Sequence, residues 1–209
     1  FEALHHALQA AFGWATVHTY DFTVKDPNFR PPADMMEAMQ QMIHSHGDEP
    51  LLGVSRLEYL LRLRDPHSQN SIDSMHECKR RHPNTVEKNV NKPKLWQVLD
   101  DPAYEVTPGK GLEYTYDFGD NWVHDITIEG RADANELIEV LRGEGHPIAE
   151  DVGGWKGWNE LKEAYNSTRP NREQRDKMRW FERKSANADL QGLRGDRSTN
   201  GIWRRFNNT

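Results

Sequence analysis

The sequence predicts an α+β fold, in which a largely antiparallel sheet carries helices packed on one face. Apolar residues repeat at helical spacing at the start of the chain and again near its end, and central segments instead alternate between apolar and polar residues. The elements follow the order helix, strand, helix, strand, loop, hairpin, possible strand and then helices. That order is typical of an α+β domain followed by a helical extension.

The first third of the chain predicts two helices and two strands. Apolar residues at helical spacing predict a helix over residues 1–12, and Gly13 ends it. Alternation predicts a strand over residues 16–24, and a methionine-rich helix follows over residues 33–46. A second alternating segment predicts a strand over residues 57–65. One face of the first strand then holds His18, Tyr20, Phe22 and Val24.

The middle and the end of the chain predict a long loop and three further helices. Residues 66–94 lack periodicity and contain three prolines, which indicates a loop. A short helix is expected over residues 94–101, and residues 137–147 fit either a helix or a strand. Two helices follow over residues 158–166 and 171–184.

A hairpin with the sequence YTYDFGDNWVHDI occupies residues 114–126. If residues 119–121 form a three-residue loop, Tyr116 faces His124 and the apolar side chains of both strands share one face. His124 then lies on an apolar face, as His18 does on the earlier strand. Asp117 and Asp125 lie on the opposite face.

Histidines and carboxylates from these strands define a candidate site. Imidazole and carboxylate groups together suit zinc, iron or manganese, and they equally suit general acid–base chemistry. The same residues can instead satisfy backbone groups of turns and strand edges. The candidate catalytic residues are His18, Asp117, Asp120, His124, Glu150 and Asp151, and the candidate ligands of a divalent metal are His18, His124 and Asp120.

Two of these carboxylates, Glu150 and Asp151, lie in the glycine-bounded segment GEGHPIAEDVGG, residues 143–154. This segment is either a loop that closes over a pocket or a turn that ends one element and caps the next helix. It is not a phosphate-binding loop, because it lacks the Gly-Lys-Ser/Thr ending.

The charge is distributed unevenly along the chain. The net charge of -6 at pH 7 argues against binding of nucleic acid by the whole surface. Residues 169–209, however, carry eleven lysines and arginines against five acidic residues. We therefore expect an α+β domain over residues 1–168 and a basic helical segment over residues 169–209. The candidate contacts to nucleic acid or to a protein partner are Arg172, Arg175, Arg179 and Arg183, although such a run can also be a solvated helix face.

The sequence also bears on the compartment. No apolar run approaches the roughly 20 residues that span a membrane, and no signal peptide is evident. The single cysteine, Cys78, excludes an internal disulfide framework and suits a reducing interior. We expect an intracellular, cytoplasmic protein that does not contact membranes.

The hairpin resembles the signature of the plasmid pRiA4b ORF-3-like family, through Tyr-x-Tyr-Asp-Phe-Gly-Asp-x-Trp-x-His at residues 114–124. FEALHHALQAAFGW at the start, VHTYDF after it and residues 144–165 resemble other elements of that family in the same order. Ile148 and Ala149 depart from its usual prolines, and Val152 stands where a cysteine is frequent. The resemblance implies an α+β fold, a strand at 137–142 and a missing amino-terminal strand, but little about activity.

Two classes of function follow from these observations. The first is an enzyme that performs hydrolytic or transfer chemistry on a small-molecule substrate with the histidines and carboxylates above. The second is a non-catalytic binding module that contacts nucleic acid or a protein through its basic carboxyl-terminal helices. Loss of turnover on replacement of His124 favours the first class, and weaker association on charge reversal of the arginines favours the second.

Overall fold

A computed structural model gives the structure of the chain. It describes residues 1–27, 29–30, 33–37, 59–67, 85–104, 106, 111–131, 141–143 and 148–184. The described residues divide into two compact units, which are treated separately below. The first contains residues 1–2, 18–118 and 123–131, and the second contains residues 3–17, 119–122 and 132–209.

A five-stranded sheet with the order β3-β2-β1-β4-β5 is the framework of the first unit. Strand β1 pairs antiparallel with β2 on one side and with β4 on the other, and β2 pairs parallel with β3. The predicted α+β class with a largely antiparallel sheet is confirmed. The strands are β1 (Tyr20–Lys25), β2 (Tyr59–Arg64), β3 (Val86–Asn89), β4 (Leu112–Tyr116) and β5 (Trp122–Ile126).

The apolar face of this sheet is tightly buried. Phe22 lies opposite Leu63 on β2 and opposite Tyr114 on β4. The Phe22 and Tyr114 rings are 4.9 Å apart between centroids, and the Phe1 ring meets Phe22 edge-on at 5.2 Å. Burial of each such side chain contributes about 1.5–3 kcal/mol, so this face supplies much of the folding free energy of the unit.

Helices dominate the second unit. Helix α1 (Glu2–Phe12) buries His5 and Gln9. Helices α3 (Gly154–Asn166) and α4 (Arg172–Lys184) pack together through Trp158 and Tyr165, whose rings lie 6.3 and 6.2 Å from that of Phe181. The short helix α2 (Leu95–Leu99) belongs to the first unit. All four helices were predicted, but α3 begins at Gly154, four residues earlier than the predicted start at residue 158.

The strand predicted over residues 16–24 begins only at Tyr20, so its first four residues were wrong. The backbone N–H of Ala15 donates to Glu150 and that of Thr16 donates to the Gln9 side chain, while Thr16 has φ 60°. These bonds and this left-handed conformation hold the residues after α1 out of an extended conformation.

Two further predictions need correction. The segment 66–94, predicted as a loop, contains β3, which is too short to show periodicity. The hairpin connection spans five residues, 117–121, rather than three, because β4 stops at Tyr116 and β5 starts at Trp122. The predicted elements at 33–46 and 137–147 lie mostly outside the described residues. Among the described helices, none has the length and apolar character needed to cross a membrane.

Candidate active site

The start of β1 and the end of β4 bring His18 and Asp117 together in the first unit. Tyr20 and Tyr116 are direct partners across these antiparallel strands, so the residues just beyond them are neighbours. The Nε2 atom of His18 lies 3.7 Å from the Oδ2 atom of Asp117. The imidazole side chain is 21% exposed and the carboxylate only 7%. Solvent can therefore reach the imidazole, and the carboxylate is largely shielded.

Asp117 adopts a backbone conformation that explains this pairing. Its φ is 54°, in the left-handed region that aspartate tolerates better than most residues. Its backbone N–H still donates to the Thr19 carbonyl oxygen at 2.9 Å. The regular alternation of strand faces ends here. The sequence predicted Asp117 on the face opposite the histidines, and this was wrong, since its carboxylate reaches the His18 ring.

Tyr116 contacts His18, and Tyr20 is the strand partner of Tyr116. The hydroxyl oxygen of Tyr116 accepts a hydrogen bond from the backbone N–H of His18 at 3.3 Å, and its ring meets the His18 ring edge-on at 5.8 Å. Burial raises the pKa of Tyr20 well above its ordinary value, and the charges of Asp65 and Glu2 raise it further. Tyr20 therefore stays protonated at neutral pH, and the imidazole is left as the candidate base.

His124 lies on β5 of the same unit. It is half-buried, and its ring centroid is 5.7 Å from that of Tyr114. The sequence predicted Tyr116 as the neighbour of His124, but the ring contact is with Tyr114, two residues earlier on β4. Packing against Tyr114 thus accounts for the position of the ring.

In the second unit, two of the predicted site carboxylates accept hydrogen bonds from backbone N–H groups. Asp120 accepts a hydrogen bond from the N–H of Gly153 at 3.0 Å, and Glu150 accepts one from the N–H of Ala15 at 2.9 Å. Asp151 is exposed and has φ 58°. These contacts agree with the alternative that Asp120 and Glu150 satisfy turn and loop backbone groups.

A buried ionic network on the polar face of the sheet was missed by the sequence interpretation. Arg62 donates from Nε to Asp21 at 2.7 Å and from a terminal nitrogen to Glu87 at 3.1 Å. The side chains of Arg62 and Asp21 are 1% and 0% exposed. Beside them Lys25 pairs with Glu113 at 2.5 Å. Alternation predicts that this face is exposed to solvent, and the arginines that alternate with leucines in YLLRLR fit that pattern, so the sequence gives no signal of the burial.

The four candidate arginines of α4 are exposed and follow one another at spacings of three or four residues, which places them along one side of the helix. Arg172 and Arg179 both approach Asp176, at 3.9 and 3.4 Å. Arg175 donates to the carbonyl oxygen of Pro170. Phe181 is fully buried on another side of the helix, and Trp180 is half-buried.

The fold and this site define an α+β protein with an imidazole–carboxylate pair where two neighbouring strands end. The chain matches the family described as plasmid pRiA4b ORF-3-like protein over residues 1–191, and it belongs to that family. The resemblance seen in the hairpin is thus confirmed.

One curated relative and one solved structure are similar to the chain. The uncharacterized protein y4hQ of Sinorhizobium fredii (strain NBRC 101917 / NGR234) is 29% identical over 163 residues, which are 77% of this chain but only 57% of y4hQ. The crystal structure of MM3350, a protein of unknown function from Methanosarcina mazei Go1, is 21% identical with a TM-score of 0.50. That match covers 87% of this chain and 74% of MM3350, and it supports the fold alone.

Proposed function

We propose that the protein is an enzyme that performs hydrolytic or group-transfer chemistry on a small-molecule substrate, with His18 as its general base. The observation that carries the proposal is the partly exposed His18 imidazole placed 3.7 Å from the shielded Asp117 carboxylate. A positioned imidazole that exchanges protons in the transition state typically contributes about 10²–10⁴-fold to a rate.

Asp117 has a definite role in this proposal. When His18 takes a proton from water or from a substrate hydroxyl, it becomes a cation, and the nearby carboxylate stabilises that cation. The separation exceeds that of a hydrogen bond, and such contacts commonly shorten when a substrate binds. Asp117 is therefore a positioning residue, and His18 is the group that meets the substrate.

The same two groups also suit a divalent metal ion. Ligand nitrogen and oxygen atoms lie about 2.0–2.2 Å from zinc, so an imidazole nitrogen and a carboxylate oxygen 3.7 Å apart can both bind one ion. The metal would activate a water molecule as the nucleophile. Elemental analysis of protein purified without a metal-affinity tag separates this form of the chemistry from metal-free acid–base catalysis.

The first test is a screen of chromogenic carboxylic esters, amides, phosphomonoesters and phosphodiesters with purified full-length protein. We expect turnover in one class and a loss of about 10²–10⁴-fold in kcat in His18→Gln. Asp117→Asn should also lower kcat and should shift the pH profile of kcat, because asparagine accepts the same positive φ but cannot stabilise an imidazolium. His67→Gln, at an exposed histidine of the same unit, should leave turnover unchanged.

A second candidate function has its own observation, the row of exposed arginines on α4. If the protein is a binding module instead, no class of substrate turns over, and association with nucleic acid falls steeply with salt. Charge reversal at Arg172, Arg175 and Arg179 would then weaken association, while His18→Gln would not. Turnover that survives His18→Gln would contradict the catalytic proposal directly.

A further inference from the structure

A cavity of about 440 Å³ lies in the first unit, between α2 and the residues that follow β5. Its lining shares no residue with the His18, Asp117 and Tyr116 group. The volume falls within the roughly 300–1,000 Å³ that small-molecule sites occupy. It is therefore large enough to take a ligand of its own, whatever the function of the histidine pair.

One wall of the cavity consists of apolar side chains, some of which are exposed to solvent. Leu95, Trp96 and Leu99 contribute from α2, and Ile128 contributes from the segment after β5. Trp96 is 55% exposed and Leu95 is 36% exposed, although α2 buries Val98 almost completely. Helix α2 thus buries Val98 in the core, whereas Trp96 stays exposed where it lines the cavity.

The rim of the cavity is charged. Asp100, Glu129 and Arg131 line it, and Arg131 forms an ion pair with Asp100. Two carboxylates against one guanidinium leave one net negative charge, and Glu129 is exposed. The face of an exposed indole also attracts cations, because its π-electrons are negative above the ring. Both features select a positively charged group.

We propose that this cavity binds a small molecule with an apolar body and a single positively charged group, such as an aromatic primary amine. The body packs on Trp96, Leu99 and Ile128, and the ammonium group lies between the indole face and the Glu129 carboxylate. A carboxylate-bearing analogue of the same shape meets the negative rim and is rejected. This site lies beyond the chemistry proposed for His18.

The test uses three probes of nearly one shape, which are phenethylamine, phenethyl alcohol and 3-phenylpropionate. Each is titrated into the full chain labelled with ¹⁵N, and the indole N–H signals are followed. The Trp96 signal is identified by its absence from the spectrum of Trp96→Ala. Trp155, an exposed tryptophan of the second unit, supplies the control signal and the matched control variant Trp155→Ala.

We expect phenethylamine to shift the Trp96 signal in a saturable way and to leave the Trp155 signal unmoved. Trp96→Ala should weaken binding about tenfold, because it removes both the cation–π contact and the apolar packing of the indole. Glu129→Gln should weaken binding of the amine but not binding of the alcohol, and Trp155→Ala should change the affinity for neither probe. A Trp96 signal that stays unmoved up to about 10 mM amine, a generous ceiling for a fragment-sized ligand, overturns the proposal. Equal or tighter binding of 3-phenylpropionate overturns it as well.

Discussion

Arg62 carries a guanidinium group into the interior of the first unit, where Asp21 and Glu87 neutralise it. A buried ion pair gives little net stability compared with apolar residues, because both partners lose their hydration. Removal of one partner is different, since it leaves the other charge buried and unpaired. The ring of Phe118, 5.9 Å from the guanidinium carbon, adds a favourable cation–π contact. Arg62 should therefore be sensitive to substitution although it lies on the polar face.

We predict that Arg62→Met lowers the free energy of unfolding by about 3–5 kcal/mol, because it removes the ion pair that the arginine forms with the fully buried Asp21 carboxylate. Arg64→Met, two residues along the same strand, should cost less than about 1 kcal/mol, since Arg64 is partly exposed and lies 3.9 Å from Glu87. Urea denaturation at neutral pH measures both values. Equal losses in the two variants would show that the Asp21 pairing is not the cause.

The candidate site also depends on single residues whose arrangement the sequence predicts only in part. The histidine of the pair was predicted from its place among apolar residues on a strand. Its partner was named as a candidate, but its side-chain direction was not predictable, because a positive φ at a non-glycine residue leaves no pattern in the sequence. The contact further requires β1 to lie beside β4, and hairpin signals report only local pairing.

At the scale of elements, the first turn of helix α3 packs closely against the backbone of the residues that precede it. A Cβ atom built on Gly157 would lie 1.8 Å from the backbone oxygen of Val152, whereas one built on Gly130 would meet nothing within 4 Å. Neither glycine has a left-handed φ, so the difference between them is one of space. The close approach of two backbone segments thus fixes where α3 starts.

We predict that Gly157→Ala lowers the free energy of unfolding by about 2–4 kcal/mol, since backbone atoms must move apart to admit the methyl group. In an unhindered helix the same change would stabilise the protein by about 1 kcal/mol, so the sign of the effect is informative. Gly130→Ala should stay within about 0.5 kcal/mol of the wild type. Thermal and urea unfolding provide the measurement, and a stable Gly157→Ala would contradict the observed approach.

The long elements with a periodic sequence were predictable, whereas the short strand β3 and the start of β1 were not. Helices α3 and α4 show helical spacing over more than two turns, and α4 lies within one residue of its expected start, whereas α3 begins four residues early. Strand β3 has four residues, and its parallel partner lies earlier in the chain, so no local pattern announces it. The start of β1 was misplaced because hydrogen bonds from the backbone to the Gln9 and Glu150 side chains override an alternating sequence.

At the scale of the whole molecule, the response of stability to pH includes a term from His5 of α1. Burial and, to a smaller extent, the neighbouring His6 together lower the pKa of this histidine from 6.5 to about 4. Between these two values the unfolded chain binds a proton that the folded chain does not. Stability from this group is therefore present above pH 6.5 and is lost as the pH falls toward 4.

We predict that the wild type loses about 2–3 kcal/mol more between pH 7 and pH 4 than His5→Gln, which cannot titrate. Urea midpoints at several pH values across this window give the slope for each protein. His6→Gln, at the exposed neighbouring histidine, should retain most of the wild-type slope. If the slopes of the wild type and of His5→Gln coincide, His5 does not contribute to the acid response.

The polar face of the sheet has a consequence for the chain while it is being made. His18 and Tyr116 lie 98 residues apart in the sequence. During synthesis, β1 is therefore made long before β4, its partner in the sheet. Contacts of such long range also make folding slow. An unfinished sheet with bare apolar strands is prone to edge-to-edge aggregation. Asp21, Thr23 and Arg62 place polar and charged groups within these strands, and such residues generally oppose the aggregation of strands that are exposed during folding.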